Sequence, residues 1–522
     1  MSHSYPSETW TIAKPAVENR YGLVASHHYV ASQIGAAVLR AGGNAVDAAV
    51  AASFAIATQE PWMSGLGGGG QMLIYRASEN FTHAVDFGMV APAALNPADY
   101  PLASGKGADL FQWPAVLEDR NIKGYYAMAV PGYVAGMAAA LERFGTRGWA
   151  EAIAPAIELA QDGLAVDWYA TLKIATAARD LSRFPESRDT YLPNGFPPVG
   201  EWGGPLPRIK LGRLADTLAR LGKAGPRDFY TGDLARAVIA DVQAGGGSLT
   251  LADLARYQAR VLAAGATNYR GATVFYAPGL SAGPTLSQAL ASLSQRLTPI
   301  ARPDASAYCA YAESLLESYA ERLATLGDSD ESSHSSCTTH ISVVDREGNL
   351  VALTQTLLSV FGSRVMLPAT GILMNNGIMW FDPRAGKPNS LAPGKCPLSN
   401  MCPTIVQRGD GFHFATGASG GRRIMPAVLQ LASFMVDYGM DIDAAFRQPR
   451  LDVSGSDLVT LDDKLAPDIA DVLASRFQTQ RAPHGVYPAL FACPNAVGHE
   501  LQSGMKSGAA FIPSPWAQVA GV

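Results

Sequence analysis

Thr338 is the residue whose type and setting most directly suggest chemistry. It opens a strand-like run, Thr338–Asp345 (TTHISVVD), directly after the polar stretch Gly327–Ser336 (GDSDESSHSS). A stretch of that composition cannot bury apolar surface and reads as a mobile, cleavable loop. A threonine whose backbone amine is released by cleavage carries nucleophile and base on one residue. An α-amine titrates at about 7.7–8.0, so it can take the hydroxyl proton near neutral pH. In the uncut chain that nitrogen is an amide without basicity. The expectation is a precursor, inactive until the Cys337–Thr338 bond opens.

A second strand-like run, Asn349–Leu357 (NLVALTQTL), follows Arg346-Glu347-Gly348. A three-residue loop with glycine last is a common hairpin closure. Pairing Asp345 with Asn349 then carries Thr338 opposite Thr356, one cross-strand spacing away. His340 falls on the same strand face as Thr338. It reads as a core histidine, because the freed amine already supplies a base.

A rival constellation lies downstream. Gly417-Ala418-Ser419-Gly420-Gly421 spells G-x-S-x-G between a strand-like Phe412–Thr416 and a helical Met425–Tyr438. With Asp452 and either His484 or His499 it could complete a serine-hydrolase triad in chain order. A third motif, Gly65-x-Gly67-x-x-Gly70, matches a dinucleotide fingerprint letter for letter. A helix precedes it, a strand-like MLIYR follows, and no Lys-Ser/Thr comes after. It reads as a turn of close backbone approach.

The elements that must position these residues begin with two helices. Val30, Ile34, Ala37, Val38 and Ala41 recur at helical spacing and stop at Gly42-Gly43. Asn44 can cap the second helix, whose stripe Val46, Ala49, Val50, Ser53, Phe54 and Ala57 is small and apolar. From about Pro131 to Ala324 the text reads as mostly helical, with loops around Pro185–Pro207 and Pro278–Pro284. The chain of 522 residues is 48% hydrophobic and 16% charged, which excludes a disordered tail or a coiled coil. A net charge of -5 argues against nucleic-acid or membrane-surface partners. Five cysteines without a CxxC pair give neither a disulfide framework nor a zinc site. No metal or other cofactor is implied. The start lacks a basic and an apolar leader region, so a cytoplasmic protein is expected.

Together these stretches resemble the γ-glutamyltranspeptidase family of N-terminal-nucleophile hydrolases. The matching segments are Val24–Ala57, Gly65–Tyr75, Val130–Gly145, Thr338–Asn349, Cys396–Val406 and Gly417–Ile424, in the family's order along nearly the whole chain. The resemblance implies an α+β fold, an αββα four-layer sandwich. It implies self-cleavage into a large subunit, 1–337, and a small one, 338–522, that stay associated as one intertwined domain; it leaves open a dimer of the pair. Thr338 corresponds to the nucleophile of self-cleavage and turnover. Thr356 corresponds to the threonine that hydrogen-bonds it. Gly420 and Gly421 correspond to the pair whose amides stabilise the oxyanion, a task suited to preorganised backbone donors. Ser399 and Asn400 stand where the family has two pocket serines.

The departures from the family concern substrate reading. Gly88 holds the place of the arginine that clamps the glutamyl carboxylate. Leu358 replaces an asparagine, and Gly377 and Trp380 replace a glutamine and an aspartate. The segment Phe381–Leu398, a longer lid in many members, is short. Losing one partner of a buried charge pair costs about 2–5 kcal/mol in comparable interfaces, so γ-glutamyl preference should be lost. The expected activity is hydrolysis of a small amide, water being the acceptor, in a pocket made smaller and more apolar by Trp380 and Leu358. The oxamate amidohydrolases are similar in kind. An adjacent substrate carboxylate would then need a new cation, for which Arg364 and Arg422 are candidates. The alternatives are a γ-glutamyltransferase or glutathione hydrolase, an acylase of the same family, the Ser419 hydrolase, and an uncleaved, non-catalytic relative.

Overall fold

The protein, a computed structural model, is described over residues 12–106, 113–326, 337–454 and 457–522. The polar stretch expected to be a cleavable loop, 327–336, lies outside these residues. Two seven-stranded sheets form the centre, and every pairing within them is antiparallel. The first runs, edge to edge, Gln518–Gly521, Leu23–Ser26, Cys337–Val344, Leu350–Leu358, Gly69–Arg76, Phe81–Phe87 and Arg260–Ala263. The second runs Val17–Asn19, Lys506–Ala510, Cys493–Glu500, Phe412–Ser419, Thr404–Gln407, Ala272–Tyr276 and Gly265–Tyr269.

Side chains alternate across each strand, so each sheet has an inner and an outer face. Leu73, Val344, Ala352, Ile405, Ala415 and Val497 interdigitate between the sheets. Ile74, Ile341, Val343 and Leu353 face the opposite way, onto helices that include Ala45–Gln59 and Tyr133–Phe144. Val406 and Phe414 of the second sheet pack on Gly283–Arg296, Ala305–Glu321 and Ile424–Asp437. The result is the αββα sandwich. Among the described residues no helix is long and apolar enough to cross a membrane.

The two opening helices form as expected, at Tyr29–Arg40 and Ala45–Gln59, and Asn44 caps the second in a capping box with Asp47. The buried face of the first is not the expected one. It consists of Ala31, Ser32, Gly35, Ala36 and Leu39, while Ala37 and Ala41 are exposed. The cause is closeness: a Cβ on Gly35 would stand 2.9 Å from Val24 and 3.2 Å from the Ala48 carbonyl. Only small residues fit between strand Leu23–Ser26 and the second helix. Strands Arg260–Ala263, Gly265–Tyr269 and Ala272–Tyr276 interrupt the region that reads as helical.

Candidate active site

The hairpin register holds from Thr339↔Gln355 to Val344↔Leu350, then shifts, so that Cys337 pairs with Leu358. The expected simple pairing of Thr338 with Thr356 is therefore corrected. Thr338 faces Thr356 and Leu357 across a bulge, a device that re-aims side chains at a strand end. The Thr356 hydroxyl accepts the Leu358 N–H at 2.8 Å, and Leu358 sits at φ 85°, in the left-handed region. Thr338 is 2% exposed and Thr356 1%. Both lie on the inter-sheet side of their strands, in line with His340 and Thr354, whose Nδ1 and Oγ1 are 2.8 Å apart. Close approach of the glycine run holds this end of the sheet together: a Cβ on Gly68 would stand 2.4 Å from the Thr356 carbonyl oxygen.

His340 is a buried core histidine, bonded to Thr354 and, at 3.1 Å, to Ser342. Burial holds it well below its usual pKa. Its ring fills the space over Gly417, where a Cβ would collide at 2.3 Å. That contact places strand Phe412–Ser419 over the Thr338 strand. At the end of the former, Gly420 (φ 135°) and Gly421 (φ 63°) turn into helix Ile424–Asp437. Ser419 pairs in register with Cys493.

A buried chain of bonds links this turn to the residue after Thr338. His27 Nε2 lies 2.8 Å from the Cys493 carbonyl oxygen. His27 Nδ1 then accepts, from the Thr339 hydroxyl at 3.2 Å and the His340 N–H at 3.4 Å. Glu60 Oε2 stands 3.5 Å from the same hydroxyl. Burial raises the Glu60 pKa to about 8, against the lowering effects of Lys173 and of Thr339. Burial lowers that of His27 to about 4, against the raising bond from Cys493. Both shifts favour the uncharged form, and the Thr339 hydroxyl lies where it can donate to Glu60 or to His27. Sequence reasoning missed this group. Its only signal is a histidine inside, and a glutamate just after, the matched segment Val24–Ala57.

On the other side of Thr338 the walls are apolar. Met89, Leu358, Ile378, Met379, Trp380 and Met401 form one buried cluster. Met89, Trp380 and Met401 of this cluster line an open cleft of about 450 Å³, together with Gly88, Ser399, Gln71 and Arg260. Asp86, Asp253 and Arg256 line it as well, whereas Leu358, Thr338 and Thr356 are not among its lining residues. Trp380 also lines a second, much smaller cavity with Asn400, Arg322 and Arg422. Arg322 donates to the Ser399 carbonyl at 2.6 Å and to Asn400 Oδ1 at 3.5 Å. The Arg422 guanidinium lies 5.8 Å from the Trp113 ring centre. Ser399 and Asn400 therefore serve two cavities separated by Trp380. Arg364 is placed elsewhere: its Nε is 4.0 Å from Asp180, and it lines neither cavity. Its φ of 70° turns the chain away after strand Leu350–Leu358.

The serine triad is not assembled. His484 Nδ1 is 3.5 Å from Asp462, and Asp452 faces Arg423 at 3.9 Å and Ser454. His499 pairs in register with His413, at the far end of the strand from Ser419.

The model of the family described as gamma-glutamyltranspeptidase matches residues 31–336 and 330–489. The chain belongs to the γ-glutamyltranspeptidase family. It is 30% identical to the glutathione hydrolase proenzyme of Bacillus subtilis (strain 168), over 90% of this chain and 86% of that protein. It is 32% identical to the acylase ACY 1 proenzyme of Pseudomonas sp. (strain SE83), over 89% and 88%. The crystal structure of cephalosporin acylase from Bacillus halodurans shares the fold, with a TM-score of 0.83 at 22% identity over 100% of this chain and 99% of that one. Membership makes the chain a family hydrolase of amide C–N bonds.

Proposed function

We propose that the chain is a self-cleaving amidohydrolase in which Thr338 is both the cleavage residue and the nucleophile. The Thr338 hydroxyl adds to the Cys337 carbonyl, the peptide C–N bond breaks, and the resulting ester is hydrolysed by water. This leaves residues 1–337 and 338–522 as large and small subunits. In turnover the freed amine accepts the Thr338 proton as the hydroxyl attacks a substrate amide. The proton passes to the leaving nitrogen, ammonia departs, and water resolves the acyl-enzyme. Gly420 and Gly421 supply N–H donors to the oxyanion. Thr356 orients the nucleophile.

The donor we propose is a small linear amide carrying a carboxylate, oxamate being the shortest, with γ-glutamyl preference lost. The observation that supports this is Gly88 in the cleft lining, at the place of the expected clamp arginine, with the apolar Met89, Trp380 and Met401 beside it. Of the two expected cations, Arg422 lines the small cavity with Asn400 and Trp380, whereas Arg364 lines neither cavity. A second reading, an acylase for larger acyl groups, is favoured by the cleft of about 450 Å³. Intact mass spectrometry followed by ammonia release from a panel of amides tests the proposal. Fragments meeting at residue 338 and ammonia from carboxylate-bearing amides are expected. An uncut chain, or γ-glutamyl compounds as the best substrates, would overturn it.

A further inference from the structure

Helix Trp168–Leu181 has one packed face and one open face. Tyr169, Ala170, Ile174, Ala177 and Leu181 are buried. Trp168, Leu172, Ala175 and Arg179, at three- and four-residue spacing, share the opposite side. Trp168, Ala175 and Arg179 are exposed there, and Leu172 is half-buried. The loop 193–207 is fastened to the start of this helix. The Thr171 hydroxyl donates to the Pro198 carbonyl at 2.7 Å, and the Val166 N–H to the Pro207 carbonyl at 2.8 Å. Between these ties the Gly204 N–H donates to the Glu201 carbonyl at 3.0 Å, with Gly203 at φ 78°. Such a turn needs a positive φ at its third residue, which glycine supplies. It holds Trp202 at its tip, where the side chain is 106% exposed.

The loop and Trp168 form an apolar patch. Phe196 is 74% exposed, Val199 75%, Leu206 55% and Trp168 59%. The aromatic side chains of Trp168, Phe196 and Trp202, at about 150–250 Å² each when whole, present about 400–600 Å² at these exposures. With Val199 and Leu206 the patch approaches the area of about 800 Å² that one side of a standard interface buries. Exposed apolar patches above a few hundred Å² mark interaction sites. Pro197, Pro198, Pro205 and Pro207 stiffen the loop, so little order remains to be lost on docking. The far end of the same helix is different in kind. Thr176, Arg179 and Arg183 line an open cavity of about 620 Å³ with Asp119, Lys123 and Asp180. Lys123 engages both carboxylates, Asp119 at 3.4 Å and Asp180 at 3.0 Å. Among the described residues no carboxylate pairs with Arg179 or Arg183. Guanidinium groups so placed can stack on an indole ring.

We propose that this face docks a second copy of the chain about a two-fold axis crossing the helix near Ala175, with Trp168 and Trp202 of each copy seated against Arg179 and Arg183 of the other. A two-fold contact requires a surface that complements itself. Here the aromatic end and the cationic end stand on one helix, about 20 Å apart at 1.5 Å per residue. Setting two such helices antiparallel brings each end onto its complement, twice per dimer. Ala175, at the crossing, is small enough for helix axes about 8 Å apart. A lipid surface fits less well, because Glu201 is the one charged residue of the loop and the chain's net charge is -5.

The test measures mass by sedimentation equilibrium for the wild-type protein and for Trp202→Ser, Ala175→Glu and Ala175→Arg, with circular dichroism reporting the fold of each. All three substitutions fall on exposed positions. The wild type should have the mass of two chains at about 10 µM. Trp202→Ser should weaken the dimer at least about thirtyfold. Ala175→Glu and Ala175→Arg each place like charges across the axis and should be monomers alone. An equimolar mixture of the two should recover the dimer. A monomeric wild type would overturn the proposal, including one that binds phosphatidylcholine vesicles through Trp202. A dimer left intact by Trp202→Ser and by both Ala175 variants would overturn it equally.

Discussion

The two sides of Thr338 are built on opposite plans. Toward the glycine turn lies a closed lattice in which His27, Thr339, His340, Thr354 and Cys493 are tied by hydrogen bonds of 2.8–3.4 Å. Toward the cleft lie Gly88, the apolar Met89, Trp380 and Met401, the amide of Gln71 and the charged Asp86, Asp253, Arg256 and Arg260. The lattice can only hold geometry, because each of its groups is already engaged. On the cleft side Gly88 is tied only through its backbone, its N–H to Asp86 and its carbonyl to the Tyr257 hydroxyl, so its side-chain position can change without touching the lattice. Attack geometry and substrate choice are thereby separated into two neighbourhoods, and substitutions in each should have different signatures.

Removing the hydroxyl on which both sides act gives the largest effect. Thr338→Ala should leave one full-length band on a denaturing gel and release no ammonia from any amide. His27→Ala comes next. It removes the partner of the buried Cys493 carbonyl and of the His340 N–H, at about 1–3 kcal/mol each, and leaves the Thr339 hydroxyl with Glu60 alone. Fragments should appear at least about tenfold more slowly, and His27→Asn should restore part of that rate. Equal cleavage rates in His27→Ala would break the contrast, since the lattice would then hold nothing that matters.

The cleft side predicts a gain. Gly88→Arg has room for its side chain, so hydrolysis of a γ-glutamyl anilide should rise by about tenfold, worth about 1.4 kcal/mol. No gain, with self-cleavage normal, would show that the apolar wall rather than Gly88 excludes the glutamyl group. A smaller effect concerns pH. The Glu60 pKa is raised to about 8 in the folded chain, so the folded state binds the extra proton. Its contribution to stability is complete below the ordinary carboxylate range and declines as pH rises toward 8. His27, lowered to about 4, acts in the opposite sense as pH falls below 6.5. Between pH 6.5 and 8 the Glu60 slope is thus unopposed by His27 and amounts to at most about 1.4 kcal/mol per pH unit. Urea midpoints of the uncut Thr338→Ala chain should fall across that window, and Glu60→Gln should flatten the fall. Ser419→Ala should have the least effect, within about threefold of wild-type ammonia release with cleavage intact.

What was legible in the sequence followed local rules. The Asn44 cap, the Gly348 hairpin and the close-packed glycine run each depend on a few adjacent residues, and each is present. The bulge at Thr338 was not legible, because it depends on the Thr356 hydroxyl holding Leu358 at φ 85°. The buried face of the first helix follows size rather than hydrophobicity, so the apolar pattern does not reveal it; Gly35 and Ala36 face inward since nothing larger fits. The edge strands Gly265–Tyr269 and Ala272–Tyr276 take their shape from neighbours far along the chain. In the site, residue types identified the attack group, whereas Glu60, His27, Gln71 and Arg322 acquire meaning only from tertiary placement. Arg364 was singled out by type alone, and its place beside Asp180 removes it from the cleft.

The Cys337–Val344 strand is flanked by Leu23–Ser26 on one side and by its hairpin partner on the other, and that partner leans on Gly69–Arg76. Pieces from either side of residue 338 therefore alternate within a single sheet. Scission at that point would yield no detachable half, since pulling the pieces apart would open the middle of the sandwich to water. Assembly must come before the cut. Once denatured, a nicked molecule would have to recover its shape by a bimolecular encounter, with a yield that depends on concentration where the intact chain's does not.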